Sequence, residues 1–147
     1  MTYFAPHRGL ALLPSLLVLS AWGAAARADI TSQGDISPAL PIAGGSVSNP
    51  IIGNTSFGTA TINGGTSLTG TTGSLGDKST GLGDLTITGF GSIWDLSSTL
   101  TVGNSGAGRI QVNQGGRLQN NQLIVGNNSG AAGWVSIDGF GTVWESG

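Results

Sequence analysis

Cysteine is absent, histidine occurs once, at position 7, and charged residues make up only 8% of the 147-residue chain. The missing thiols exclude disulfide staples, thiolate metal sites and a cysteine nucleophile. A single histidine beside the amino terminus leaves no partner for a serine/histidine triad or a histidine-rich metal site. Five Lys and Arg face seven Asp and Glu, for a formal net charge of −2 and no basic run, so nucleic acid is not an expected partner. What the chain has in quantity is glycine, 27 residues of it. Its length allows one domain at most.

The first 28 residues form a separate compositional block. His7 and Arg8 give a cationic start, Leu10 to Trp22 runs apolar apart from Ser15 and Ser20, and Ala26-Arg27-Ala28 closes the block. This is the layout of a secretory signal peptide, and the apolar run, interrupted by Pro14, falls short of the roughly 20 residues that span a bilayer. Cleavage is expected between Ala28 and Asp29, with Ala26 as the second choice, and an uncleaved anchor is the alternative. Export would leave Lys78, Arg109 and Arg117 against all seven acids, three against seven, a side-chain charge of −4.

Glycine with much Ser, Thr and Asn would suggest a disordered linker unless the pattern is periodic. Residues 51–97 and 101–147 align without a gap at 14 identities in 47, densest in Gly89-Phe90-Gly91-Ser92-Ile93-Trp94 against Gly139-Phe140-Gly141-Thr142-Val143-Trp144. A finer period lies inside. Alternating apolar/polar segments begin at Ala60, Leu85, Ile110 and Val135, each 25 residues after the last. A second series, Ile52-Gly53-Asn54, Leu75-Gly76-Asp77, Val102-Gly103-Asn104 and Val125-Gly126-Asn127, precedes them at spacings of 23, 27 and 23. Alternation of this kind marks strands with one buried face. Strands this short bury that face only by stacking coil on coil.

The expected fold is therefore all-β: a parallel β-helix of about four coils of about 25 residues, after the signal segment. Glycines at the corners would supply positive φ, and Asn or Asp after them would hydrogen-bond up the stack. Residues 51–147 hold the repeats, divided as 51–100 and 101–147; residues 29–50, with Pro38, Pro41 and Pro50, read as a linker or an irregular first coil. Proline there would deter strand pairing at that end, whereas Val135 to Trp144 would form an open edge. Phe90, Trp94, Phe140 and Trp144 recur only on alternate coils and are expected to fill a wide part of the core or cover a corner, with an aromatic platform for sugars as the other reading.

The motif order from Leu85 to Trp144, with Leu-Thr-Val-Gly-Asn at 100–104 and Leu-Ile-Val-Gly-Asn at 123–127, resembles the repeat shared by type V secretion (autotransporter) passengers and PEP-CTERM-associated proteins. The resemblance implies a right-handed β-helix on the bacterial surface or released from it, commonly with adhesive or otherwise uncharacterised roles; as the sequence holds no reactive constellation, a structural or adhesive function without catalysis or cofactor is expected. The resemblance also implies a host-surface or matrix polymer as a partner, and an outer-membrane translocator supplied by a missing carboxy-terminal region or by another chain. The sequence has neither a translocator barrel nor a sorting tail and stops at Gly147 in mid-pattern, so a truncated passenger is expected, with self-association through open solenoid ends as a further expectation.

A carbohydrate-binding or carbohydrate-active β-helix, pectate-lyase-like, is the alternative. Its candidate acids, Asp95 and Glu145, would stand two coils or roughly 9.5 Å apart, at the far edge for an inverting pair. Asp77, Asp84 and Asp138 lack the nonapeptide spacing of calcium-binding β-rolls, so no metal site is expected. Gly81-Leu82-Gly83 and Gly106-Ala107-Gly108 complete no phosphate-binding motif, and Asn54-Thr55-Ser56 and Asn127-Asn128-Ser129 read as turns rather than glycosylation sites.

Overall fold

The computed structural model describes residues 28–147, among which there is no helix. The signal-segment reading of residues 1–27 lies outside the described residues; Ala28 is exposed and irregular, and the first strand opens at Asp29.

The chain forms a β-solenoid. A first, irregular turn carries β1 (Asp29–Gly34), β2 (Ile36–Ser37) and β3 (Gly45–Ser46). Four regular coils follow. Coil 1 holds β4 (Ile51–Ile52), β5 (Phe57–Asn63) and β6 (Ser67–Gly70), and coil 2 holds β7 (Gly73–Leu75), β8 (Leu82–Thr88) and β9 (Ile93–Leu96). Coil 3 holds β10 (Thr99–Val102), β11 (Ala107–Asn113) and β12 (Arg117–Asn120). Coil 4 holds β13 (Gln122–Val125), β14 (Ala132–Asp138) and β15 (Val143–Ser146). The strands stack into three five-stranded sheets: an entry sheet β2-β4-β7-β10-β13, a long sheet β1-β5-β8-β11-β14 and an exit sheet β3-β6-β9-β12-β15.

The two series read from the sequence fall on the long and entry sheets. Ala60, Leu85, Ile110 and Val135 stand in one column, and Ile62, Ile87, Val112 and Ile137 in the next. Their strands begin three residues earlier than the alternation suggests. The exit sheet has a weaker sequence signal, because its inward column alternates Leu68, Trp94, Leu118, Trp144 instead of repeating one residue type.

That alternation is the 50-residue period of the exit column; the entry column does not share it, since Gly73 of coil 2 is replaced by Leu123 in coil 4. Trp94 is fully buried, and a Cβ on Gly73 would sit 2.5 Å from its ring; Gly73 leaves the room the indole fills. One coil on, the same two columns hold Leu118 and Leu100. In coils 2 and 3 core volume is conserved by pairing large with absent and medium with medium, as close packing demands, whereas Trp144 of coil 4, in the same column pair as Leu123, is 40% exposed. The core also takes in Ile52, Leu75, Leu96 and Val102, each 0–1% exposed. Full burial of side chains this size contributes about 1.5–3 kcal/mol each.

Residues 29–50 are not a strandless linker. β1 pairs antiparallel with β5 over six residues, from Asp29 opposite Asn63 to Gly34 opposite Gly58, and β2 pairs antiparallel with β4. The prolines do not prevent this, because Pro38, Pro41 and Pro50 all lie between strands. The Asp35 carboxylate pins the turn: its Oδ2 accepts from the backbone N–H groups of Thr55 at 2.6 Å and Ser56 at 3.0 Å. Those bonds, Thr55 foremost, hold the carboxyl below the usual carboxylate range.

Glycine serves two separate needs. Gly53, Gly76, Gly103 and Gly126 end the entry strands at φ of 67–77°, the left-handed region expected of them. Gly83 and Gly133 are required for a different reason: a Cβ on either would lie 2.1 Å from a carbonyl oxygen of the coil below, Ile52 or Val102. Asn or Asp after the first group forms the expected ladder. Asn104 Nδ2 donates to Asp77 Oδ1 and Asn127 Nδ2 to Asn104 Oδ1, each at 2.8 Å.

Candidate surface site on the long sheet

The four long strands run in register, so outward residues form columns along the solenoid axis. Phe57, Leu82, Ala107 and Ala132 make one column; Thr59, Asp84, Arg109 and Trp134 make the next. Inward between them lie Gly58, Gly83, Gly108 and Gly133, where the entry strands press against the backbone. Large side chains at the coil 1 and 2 end and alanines beyond them leave a groove of about 310 Å³, walled by Phe57 and Leu82 and closed by Arg109 and Trp134.

Three large hydrophobic residues are exposed here, Phe57 by 54%, Leu82 by 49% and Trp134 by 62%. Outward positions of a half-buried strand ordinarily carry polar residues, and grouped apolar side chains on such a face mark a binding surface. Arg109 links the polar groups of the groove. Its guanidinium carbon stands 5.3 Å from the Trp134 ring centroid, and Nη1 is 3.8 Å from Asp84 Oδ2. The first contact is within cation–π range; the second is a loose, partly exposed ion pair that contributes little to stability.

Sequence reasoning missed this groove. Extending the alternation back by three residues places Phe57, Leu82 and Trp134 on the face opposite the core, and their apolar character at that parity was the available signal.

The residues singled out from the repeat lie elsewhere. Gly89 and Gly91, like Gly139 and Gly141, shape the turn into the exit strand with φ between 72° and 93°. Trp94 is in the core, while Trp144 in coil 4 is 40% exposed and donates from Nε1 to Asn120 Oδ1 at 2.8 Å. Phe90, 68% exposed, runs along the corner, close enough that a Cβ on Gly115 or Gly141 would be 2.6 Å from its ring. Phe140, its equivalent, is 90% exposed. Ser92 and Thr142, within the same motif, receive the backbone N–H of Gly65 and Gly115 on their hydroxyl oxygens at 3.1 and 3.0 Å, tying each turn to the coil below.

The acids do not converge. Asp95 and Glu145 flank Gln119 on opposite sides in the exit sheet, two strands apart. Glu145 Oε2 accepts from Arg117 Nη2 at 2.6 Å and from Gln119 Nε2 at 2.5 Å, and Arg117 in particular keeps its carboxyl below the usual range. A carboxylate so held stays ionised, opposite to what a general acid needs. Asp77 is lowered too, chiefly by Lys78, whose Nζ lies 2.8 Å away, and by the Asn104 amide. Asp84 faces the groove and Asp138 ends β14. Among the described residues no three His, Cys, Asp or Glu side chains come together as a metal site would need.

No family model, curated protein or solved structure matches this chain.

Proposed function

We propose that this chain is a structural and adhesive segment of an exported bacterial surface protein, of the autotransporter passenger kind, which acts through an outer face of its solenoid and catalyses no reaction. The observation that carries the reading is the groove of the long sheet, where Phe57, Leu82 and Trp134 are all exposed on one outer face of the stacked strands. An adhesive module needs such a face and no reactive residue. The signal-like first 28 residues and the repeat resemblance support export and surface display.

The pectate-lyase-like alternative requires two acids with opposed tendencies on one face. Glu145 is engaged by Arg117 and Gln119, and Asp95 lies beyond Gln119, which favours binding over turnover.

The test is the intact mass of the native protein recovered separately from supernatant, periplasm and outer membrane of the producing cell. An outer-membrane or released species lacking residues 1–28, together with loss of cell attachment on deletion, is expected. A cytoplasmic species with its amino terminus intact would overturn the reading.

A further inference from the structure

We infer that the groove on the outer face of the long sheet binds the apolar face of a neutral pyranose sugar, with Trp134 as the stacking platform and Asp84 and Arg109 as partners for its hydroxyl groups. The inference rests on the adhesive reading and names the ligand class it would use.

Four observations narrow the ligand. Under the groove β5, β8 and β11 are each paired on both sides, and the one free backbone edge there, that of β14, lies in the plane of the sheet and points along the solenoid axis, so a strand added to it would extend the sheet and not occupy the groove on its face. Its two charges oppose each other within 3.8 Å, and the whole chain is acidic at −2, so neither an anionic polymer nor a cationic one is favoured. At about 310 Å³ it is small and open, too shallow to bury an acyl chain, and a lipid would strip water from Asp84 and Arg109 without replacing their hydrogen bonds. What remains is a ligand with one flat apolar face and polar groups at its edge.

A pyranose ring meets that description. Its axial C–H face lies against an indole as an apolar plate lies against an aromatic one, and Trp134 keeps 62% of its surface open even with Arg109 beside it. Ring hydroxyls can donate to the Asp84 carboxylate and accept from Arg109, whose loose ion pair leaves both groups capacity for further bonds. Arg109 Nε is buried without a hydrogen-bond partner among the described residues, and Nη1 is turned to Asp84 and the groove. Ala107 and Ala132 supply the low floor that lets a ring approach.

The purified full chain is titrated with cellohexaose, chitohexaose and mannohexaose, and with hexagalacturonate as the anionic counterpart, by calorimetry and tryptophan fluorescence. At least one neutral oligosaccharide is expected to bind while hexagalacturonate does not. Trp134→Ala should weaken that binding by about tenfold or more, Trp134→Phe should restore part of it, and Phe140→Ala, on a different corner, should leave it unchanged. Far-UV dichroism and the thermal midpoint check that each variant is folded. Absence of binding to all three neutral oligomers, undiminished binding by a folded Trp134→Ala chain, or tighter binding of hexagalacturonate would each overturn the inference. Because the titration uses purified chain and no cells, it can fail while surface display and attachment hold, and the reverse.

Discussion

At the scale of single residues, glycine carries most of the information, and for two reasons that mutation can separate. Gly83 has no left-handed backbone requirement, but a side chain there collides with the Ile52 carbonyl oxygen, with Cβ at 2.1 Å. Gly130 is the converse: φ is +81° and no atom lies within 4 Å of the added Cβ. Gly83→Ala should therefore cost about 3 kcal/mol, the cost of pushing one coil off another, whereas Gly130→Ala should cost only about 1 kcal/mol, that of placing an L-residue in the left-handed region. Urea unfolding of the two variants beside the parent checks the difference. Equal losses would mean that close approach does not govern the corner. The sequence reading assigned all corner glycines to positive φ, because spacing shows that a glycine recurs but not which atom stands against it.

At the scale of the strand, the legible part was whatever repeats. The long and entry sheets were readable because Ile, Leu and Val recur at fixed offsets and a parallel stack keeps like residues in line. The exit sheet was harder to read, since Leu68, Trp94, Leu118 and Trp144 share a column yet differ in size. The same mixture hid the groove: Phe57 and Leu82 share a column with two alanines, and Trp134 a column with Thr59, Asp84 and Arg109, so no residue type repeats along it. The size mismatch in the exit sheet is compensated across the core by Gly73. Trp94→Leu alone should open a cavity and cost about 2–4 kcal/mol, and Gly73→Leu alone should clash with the indole and cost about as much. Together the two changes recreate the Leu118 and Leu100 pairing of coil 3, so the double variant should be more stable than either single one, with a coupling of about 1–3 kcal/mol in its favour. A double-mutant cycle by chemical denaturation measures this. Additive losses would mean that the two columns do not share one space.

At the scale of the molecule, a solenoid is a one-dimensional stack whose stability is a sum of coil interfaces, so its two ends need not be equally firm. The first end is closed by β1, hydrogen-bonded antiparallel along β5, with Asp35 fastened to Thr55 and Ser56. At the other end of this chain, β13, β14 and β15 are each paired on one side only, and core-column residues Ile137 and Trp144 are 39% and 40% exposed. Coil 4 is consequently held by one interface where coils 2 and 3 are held by two. Native-state hydrogen exchange on the purified chain at low concentration should show the slowest amides in β8 and β11, intermediate protection in β1, and the fastest strand amides in β13 to β15. Local opening of coil 4 breaks this one interface alone and bares the coil 3 core face, where Leu100, Ile110, Val112 and Leu118 are 0% exposed. If β14 amides were instead as protected as those of β11, something would have to cover the open face. A second copy would be revealed by a doubled native mass and by protection that rises with concentration. Unchanged protection across a dilution series, with a monomeric mass, would instead mean that single-sided pairing suffices to hold a coil, and that the ladder of Asp77, Asn104 and Asn127 contributes more at the end of the stack than strand counting predicts.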